Sequence, residues 1–416
     1  MSARDASYEV VMRVFEDGAY ADRAFRSAAA SLSARDRAFA MELAYGTVRQ
    51  RRLLDHGIEQ IGSRALDEID PPVRAALRLG AYQLAFMASV PDHAAVSETV
   101  ELVRRAGLER AVAFANAVMR RLSEQLTQLV GALDDGSAAS AALRHSYPDW
   151  IAESWWSDLG SDSARRLMAA QNRPAELAVR VNHRHRPLPD GVAAVNGKSD
   201  SLFPRALIVE RVAEGWLEHG LAWPQSRASQ LAGSCVGSVP SDRVLDLCAA
   251  PGGKATQLLG DVVAVEVDAG RARELAEMVQ RQGAENVRVV NADGRALPSE
   301  LTGFDRALVD APCSGLGVLA SRPDLRWRAR QLPELQVELV RAALERVRVG
   351  GTVTYSVCTT TAAETEGVID AVAAPLESLG DVYPQFRHPR RPNCLLTLPH
   401  EHGTAGFFIA RLRREG

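Results

Sequence analysis

The run Val244 to Lys254, VLDLCAAPGGK, limits the fold more than any other stretch of this chain. Residues with β propensity empty into a small-residue turn, Ala249-Ala250-Pro251-Gly252-Gly253, and a helix is expected to open at Lys254 in KATQLLG. Glycines let a ligand approach the backbone, and a helix start offers unpaired N–H groups. The alternation then repeats. DVVAVEVD reads as a strand with Glu266 and Asp268 at its end, and RARELAEMVQRQG as a helix. NVRVVNAD ends at Asp293, and DRALVDAP at Asp310. QVELVRAALERVRVGG is a helix, GTVTYSVC a strand, and AGFFIARLRR the last strand. Strands alternating with helices predict an α/β, doubly wound parallel sheet with ligands at the strand carboxyl ends.

The turn has neither the GxGxxG spacing of dinucleotide folds nor the GxxxxGK[ST] of a phosphate loop. A nucleoside ligand without a pyrophosphate fits better. Glu266 is placed to accept two hydrogen bonds from a ribose diol, and Asp293 to reach the amine of an adenine. Together these residues read as an S-adenosylmethionine pocket. Two thiols fall on the same side: Cys313 in DAPCSG, after one strand, and Cys358 after VTYSV. A lone free cysteine is more often a small buried hydrophobe than a nucleophile, so the pair carries the argument.

At 416 residues the chain is too long for one ordinary core. Residues 1–130 read as an all-helical bundle, with Tyr8, Val11, Met12 and Phe15 on one face, Ser33 as a cap and Pro71 opening a helix. Leu122 to Ser140 is expected to be a linker. Residues 141–235 read as a small α+β connecting module, with strands at ELAVRVN and RALIVERV around the basic passage HRHRPLPDGVAAVNGKSD. Residues 236–416 form the third domain. Trp150, Trp155 and Trp156 are expected in the core rather than as a base-stacking platform.

Hydrophobic residues make up 46% and charged residues 24%, with a net charge of −3, so nucleic-acid binding has to come from local patches. Arg49, Arg51, Arg52, Arg120 and Arg121 are phosphate-contact candidates. Arg322, Arg326, Arg328 and Arg330 around Trp327 suit single-stranded RNA, and Arg387, Arg390 and Arg391 form a second patch. Each set reads equally as solvated surface arginine. Lysine occurs only at 198 and 254. Cys235, Cys248, Cys313, Cys358 and Cys394 form no CxxC pair, so no metal is expected and reduced thiols are. No stretch is long enough to span a bilayer and no signal peptide is evident, which predicts a cytoplasmic protein.

The front domain resembles the NusB type of RNA-binding helical domain in ARDRAFAMELAYGTVRQRRLLD, LRLGAYQLAFM and AFANAVMRRL. DLCAAPGGK, DAPCSGLGV and YSVCTT, in this order, resemble the Sun/RsmB family of RNA cytosine-5 methyltransferases. The resemblance implies a class I, Rossmann-like methyltransferase domain that forms 5-methylcytosine in small-subunit (16S) ribosomal RNA from S-adenosylmethionine. It implies Cys358 as nucleophile, Cys313 as the thiol assisting release, Asp310 bonding the base at nitrogen 3 and its amino group, and Lys254 steadying the assembly. Cofactor contacts carried over are Cys248, Ala249, Ala250, Pro251, Gly252, Gly253, Lys254, Glu266, Asp293 and Asp310. Ribosomal RNA is the expected partner, with a monomer favoured. TTTAAETEGVI after Cys358, Thr404-Ala405 before Gly406, and Glu266 in place of aspartate depart from the family pattern, which bears on target choice. Transfer-RNA or large-subunit RNA as target, and a non-catalytic RNA-binding protein, stand as alternative readings.

Overall fold

The structure is a computed structural model that describes residues 1–416 apart from 183, 185–197, 201–202 and 213. The basic passage expected as a loop between two strands lies mostly outside the described residues. The described chain forms two compact units: residues 1–173 with 319–328, and residues 174–318 with 329–416.

The first unit is helical. Its opening helix, Ala3–Phe15, carries a capping box in which Ser2 and Asp5 satisfy each other's backbone N–H. Val10, Val11 and Val14 turn to the core, with Tyr8, Met12 and Phe15 packed beside them. Ser33 caps Ala34–Arg49, its hydroxyl accepting from the Asp36 N–H at 3.2 Å, and Pro71 sits in the first turn of Pro71–Phe86. The expected linker is corrected here: one helix runs Glu109–Ala132 and another Ala138–Arg144. Leu122 and Leu126 continue the apolar stripe of Ala115, Val118 and Met119 at helical spacing, which holds the segment in the core. Among the three tryptophans only Trp155 is core; Trp150 is 39% exposed and Trp156 lies under Arg165.

The second unit holds two sheets. The smaller has strands β1 Ala178–Val181, β2 Lys198–Asp200, β3 Phe203–Ile208 and β4 Ala222–Pro224, in the order β2-β3-β1-β4. The larger contains β5 Arg243–Asp246, β6 Asp261–Glu266, β7 Val287–Asn291, β8 Phe304–Asp310, β9 Val347–Val357, β10 Leu376–Glu377, β11 Leu395–Thr397 and β12 Phe407–Arg413. Its order is β10-β12-β9-β8-β5-β6-β7, with β11 also on β12.

Two expectations change. The sheet is mixed: β7, β6, β5, β8 and β9 are parallel, but β12 is antiparallel to β9, as are β10 and β11 to β12. No long helix separates β11 from β12, so a hairpin-like return replaces a parallel crossover. The helix expected at Lys254 is only a 3-10 turn, Ala255–Gln257. Leu258 is already extended and β6 begins at Asp261, so a nucleated turn has no room to propagate. Smaller shifts follow the same logic: Val347 to Gly351 belong to β9 rather than to the preceding helix, Pro333–Arg346, and β7 stops two residues before Asp293.

The carboxyl ends of β5, β6, β8 and β9 therefore converge, and their parallel register is fixed by buried apolar residues. Val244 and Leu245 of β5 and Leu308 and Val309 of β8 are fully or nearly fully buried, as parallel strands covered on both faces require.

Candidate active site

Two sulfurs meet where β8 and β9 end. Cys313 Sγ and Cys358 Sγ are 3.5 Å apart, on loops that follow adjacent strands. When one of two neighbouring thiols ionises, the other's S–H stabilises the thiolate, so their titrations separate. The hydrogen bond from Cys313 lowers the Cys358 thiol below the ordinary range; burial and Asp310 oppose it, and Lys254 helps. The same bond, then burial, holds Cys313 well above the ordinary range. Cys358 is thereby the thiol disposed to ionise, with Cys313 as its S–H donor.

Beside them Lys254 Nζ donates to Asp310 Oδ2 at 2.6 Å, and the Ser356 hydroxyl donates to Asp310 Oδ1 at 2.7 Å. Lys254 also lies 5.0 Å from the centre of the Phe407 ring. The carboxylate, ammonium and two sulfurs thus come from β8, the glycine turn and β9, which only the parallel arrangement brings together.

The turn itself is shaped for close approach. Gly252 has φ +106°, a conformation side chains rarely adopt, and a Cβ there would meet Leu275 at 2.8 Å. Arg271 donates to the Ala250 carbonyl at 2.9 Å and approaches Glu266 at 3.5 Å. Glu266, the last residue of β6, is buried and accepts from the Asp268 N–H at 3.0 Å. Burial pushes the Cys248 thiol up, helped by Asp246 and Asp310, so it stays protonated. Asp293 stands apart from this cluster in character: it is half-buried, and Arg295 chelates it, the nearest contact being 2.7 Å. That pairing holds its carboxyl below the usual range.

One group escaped the sequence reading. Asp246, at the end of β5, is 1% exposed, and among the described residues neither carboxylate oxygen has a hydrogen-bond partner. Burial and then the Asp310 charge raise it to about 7; the Lys254 charge and the nearby Cys248 amide, which lies outside hydrogen-bond geometry, offset only part. Its signal was available as an acid at the carboxyl end of the strand that opens the glycine turn. A buried carboxylate without a partner is costly, which makes Asp246 a candidate ligand-binding group.

The arginine patches are corrected at their buried members, Arg49 and Arg326. Arg49 is buried and donates to the Ala320 carbonyl at 3.0 Å. Arg52 binds Asp149 at 2.7 Å, and Arg51 lies over the Phe15 and Trp327 rings. Arg326 is fully buried, and Trp327 donates to the Val48 carbonyl at 2.6 Å. Arg387, Arg390 and Arg391 pair with Asp381, Glu366 and Asp370. Arg49 and Arg326 are thus held inside the fold, whereas Arg120, Arg328, Arg330, Arg387 and Arg390 remain exposed.

Known proteins resemble this chain in sequence and fold. Residues 235–413 match the family described as 16S rRNA methyltransferase RsmB/F, and residues 1–124 match the NusB family. The chain is 32% identical, over the whole of both chains, to a probable ribosomal RNA small subunit methyltransferase B of Synechocystis. It is 36% identical to a putative methyltransferase of Mycobacterium tuberculosis, covering 99% of this chain and 96% of the other. The fold matches the crystal structure of PH0851 with a TM-score of 0.82, at 23% identity and over 99% of each chain.

Proposed function

We propose, for a chain that belongs to the 16S rRNA methyltransferase RsmB/F family, methyl transfer from S-adenosylmethionine to carbon 5 of a cytosine in small-subunit ribosomal RNA. The observation that carries this reading is the pair of sulfurs, 3.5 Å apart, beside a lysine–carboxylate pair. A methyltransferase acting on oxygen or an exocyclic nitrogen needs no thiol. Carbon 5 of cytosine needs one, because it becomes nucleophilic only after a nucleophile adds at carbon 6.

The residues present fit the cofactor. Asp246 offers buried acceptor oxygens with no hydrogen-bond partner among the described residues, suited to an ammonium group. Cys248 to Lys254, Glu266, Asp293 and Asp310 would complete its contacts, with Asp293 exchanging part of its Arg295 pairing for the adenine amine. S-adenosylmethionine supplies the electrophilic methyl group when bound. Cys358 adds as thiolate to carbon 6, forming a carbon–sulfur bond and pushing electron density onto the ring. Asp310 accepts from the cytosine amino group, and Lys254 beside it balances the charge that develops at nitrogen 3. After carbon 5 is alkylated its proton passes to water. The carbon–sulfur bond then breaks, its electron pair returns to the Cys358 sulfur, and the Cys313 S–H donates to that leaving thiolate. The target base has to leave its stack to expose carbon 6. We read the segments 1–130, 141–235 and 236–416 as RNA-contacting, connecting and catalytic modules; the two family matches, 1–124 and 235–413, support the outer two.

Two experiments test this. A strain lacking the protein should lose 5-methylcytosine from small-subunit ribosomal RNA; an unchanged profile there, with loss elsewhere, points to another RNA. With purified protein, Cys358→Ala should lower transfer at least ~1,000-fold. Cys313→Ala should leave RNA covalently attached on a denaturing gel. Trapping by Cys358→Ala instead would reverse the assignment.

A further inference from the structure

We propose that Glu364 is a positioning residue that sets the release thiol of Cys313 against Cys358, a role that rests on the two-thiol reading above. Glu364 follows Cys358 by six residues and is fully buried. Its carboxyl group collects five donors. Oε1 accepts from the Ser314 N–H at 3.0 Å, the Leu332 N–H at 3.1 Å and Gln336 Nε2 at 3.0 Å. Oε2 accepts from the Ser314 hydroxyl and, at 3.4 Å, from Thr361.

These contacts bracket both sulfurs. Gln336 spends its second amide hydrogen on the Pro312 carbonyl at 2.9 Å, so residues 312 and 314, on either side of Cys313, hang on one hub. On the other loop, the Thr359 hydroxyl lies 2.8 Å from that of Ser314, which leaves Ser314 accepting from Thr359 while donating to Glu364. The Tyr355 hydroxyl lies 2.7 Å from the Glu364 carbonyl and 3.0 Å from Gln336 Oε1. The Gly317 N–H completes the frame by donating to the Cys358 carbonyl at 2.9 Å. Glu364 itself touches neither sulfur; it acts through the loop backbone. Buried networks whose members are all satisfied rigidify what they hold, and the hydrogen bond between two sulfurs is sensitive to small displacements.

The chemistry makes this specific. Thiolate attack by Cys358 needs the ring and one sulfur, whereas elimination needs the Cys313 S–H directed at the leaving sulfur. Loosening the Cys313 loop should therefore slow release more than addition. A glutamine at 364 keeps the shape but has one acceptor oxygen for donors that now meet two, and it removes the charge.

The test uses the full chain, a 16S rRNA transcript and labelled S-adenosylmethionine. Glu364→Gln should remain folded, lower kcat about 10- to 100-fold with KM for the cofactor within about 2-fold, and accumulate denaturant-stable protein–RNA adduct. Ser314→Ala, which removes the hydroxyl joining the two loops, should do the same more mildly and serves if Glu364→Gln misfolds. Cys313→Ala and Cys358→Ala run alongside. If those two behave as expected but neither Glu364→Gln nor Ser314→Ala accumulates adduct, Glu364 is structural only. If Cys313→Ala itself traps nothing, the two-thiol reading fails instead.

Discussion

At the scale of single residues, the site works by separating the titrations of groups that would otherwise be alike. Cys313 and Cys358 share one hydrogen bond, which favours the thiolate on Cys358 and the thiol on Cys313. Asp310 is held by Lys254 and Ser356, and burial beside its charge raises Asp246, which has no hydrogen-bond partner among the described residues, to about 7. The sign follows. A raised carboxyl binds its proton more tightly folded than unfolded, so its contribution to stability is complete below about 3.8 and is lost as pH rises through about 7. Without cofactor, the protein should lose on the order of a few kcal/mol between pH 4 and pH 8 from this group, and Asp246→Asn should flatten that part of the slope. Added S-adenosylmethionine should recover stability at pH 8 in the natural protein and much less in Asp246→Asn. Thermal melts across that range check both; an unaltered slope in Asp246→Asn would remove Asp246 from the account.

At the scale of elements, the site depends on loops held between strands of opposite direction. β9 runs parallel to β8 and antiparallel to β12, so the loop after β8 is covered by the start of β12. Gly317 and Gly406 meet there: the Gly406 N–H donates to the Gly317 carbonyl at 2.8 Å, and a Cβ on Gly317 would lie 2.0 Å from the Gly406 oxygen. Backbone is the obstacle, so relief requires the loop to move. Gly317→Ala should cost roughly 2 kcal/mol or more and impair transfer beyond the loss of folded protein, because the same loop carries Cys313. Denaturant unfolding with a parallel transfer assay checks this; near-normal stability would show the contact yields easily. The glycine turn was legible as a turn, but the helix after it was not to be. Apolar periodicity in KATQLLG says nothing about the three-dimensional span to β6, and that short span permitted only a 3-10 turn.

At the scale of the whole molecule, chain order and spatial membership part company. Residues 319–328 follow directly on the Cys313 loop but are part of the helical unit. Arg326 secures them there. It is fully buried, donates to the Arg49 and Ser146 carbonyls at 2.9 Å and to Asn172 Oδ1 at 3.0 Å, and lies 3.6 Å from the Tyr147 ring centre. Burial lowers it to about 10, which leaves it charged at neutral pH. Arg326→Ala strands those carbonyls and should cost about 3 kcal/mol, or roughly 10 °C in the melting of the helical unit. Calorimetry would detect it, and an unmoved transition would mean that water replaces the guanidinium without penalty.

The sequence alone determined the strand-and-turn succession, the acids at strand ends and the two thiol motifs, because period-2 apolar runs, glycine turns and unusual cysteines are local signals. It did not determine the antiparallel return of β12, the burial of Asp246, the hub at Glu364, or the enclosure of Arg49 and Arg326, both RNA-contact candidates in the sequence, within the fold. Each of these depends on which distant groups share a site. Burial and pairing are properties of neighbours in space, and an arginine or a carboxylate in one dimension looks the same whether its partner is solvent, another side chain or a ligand.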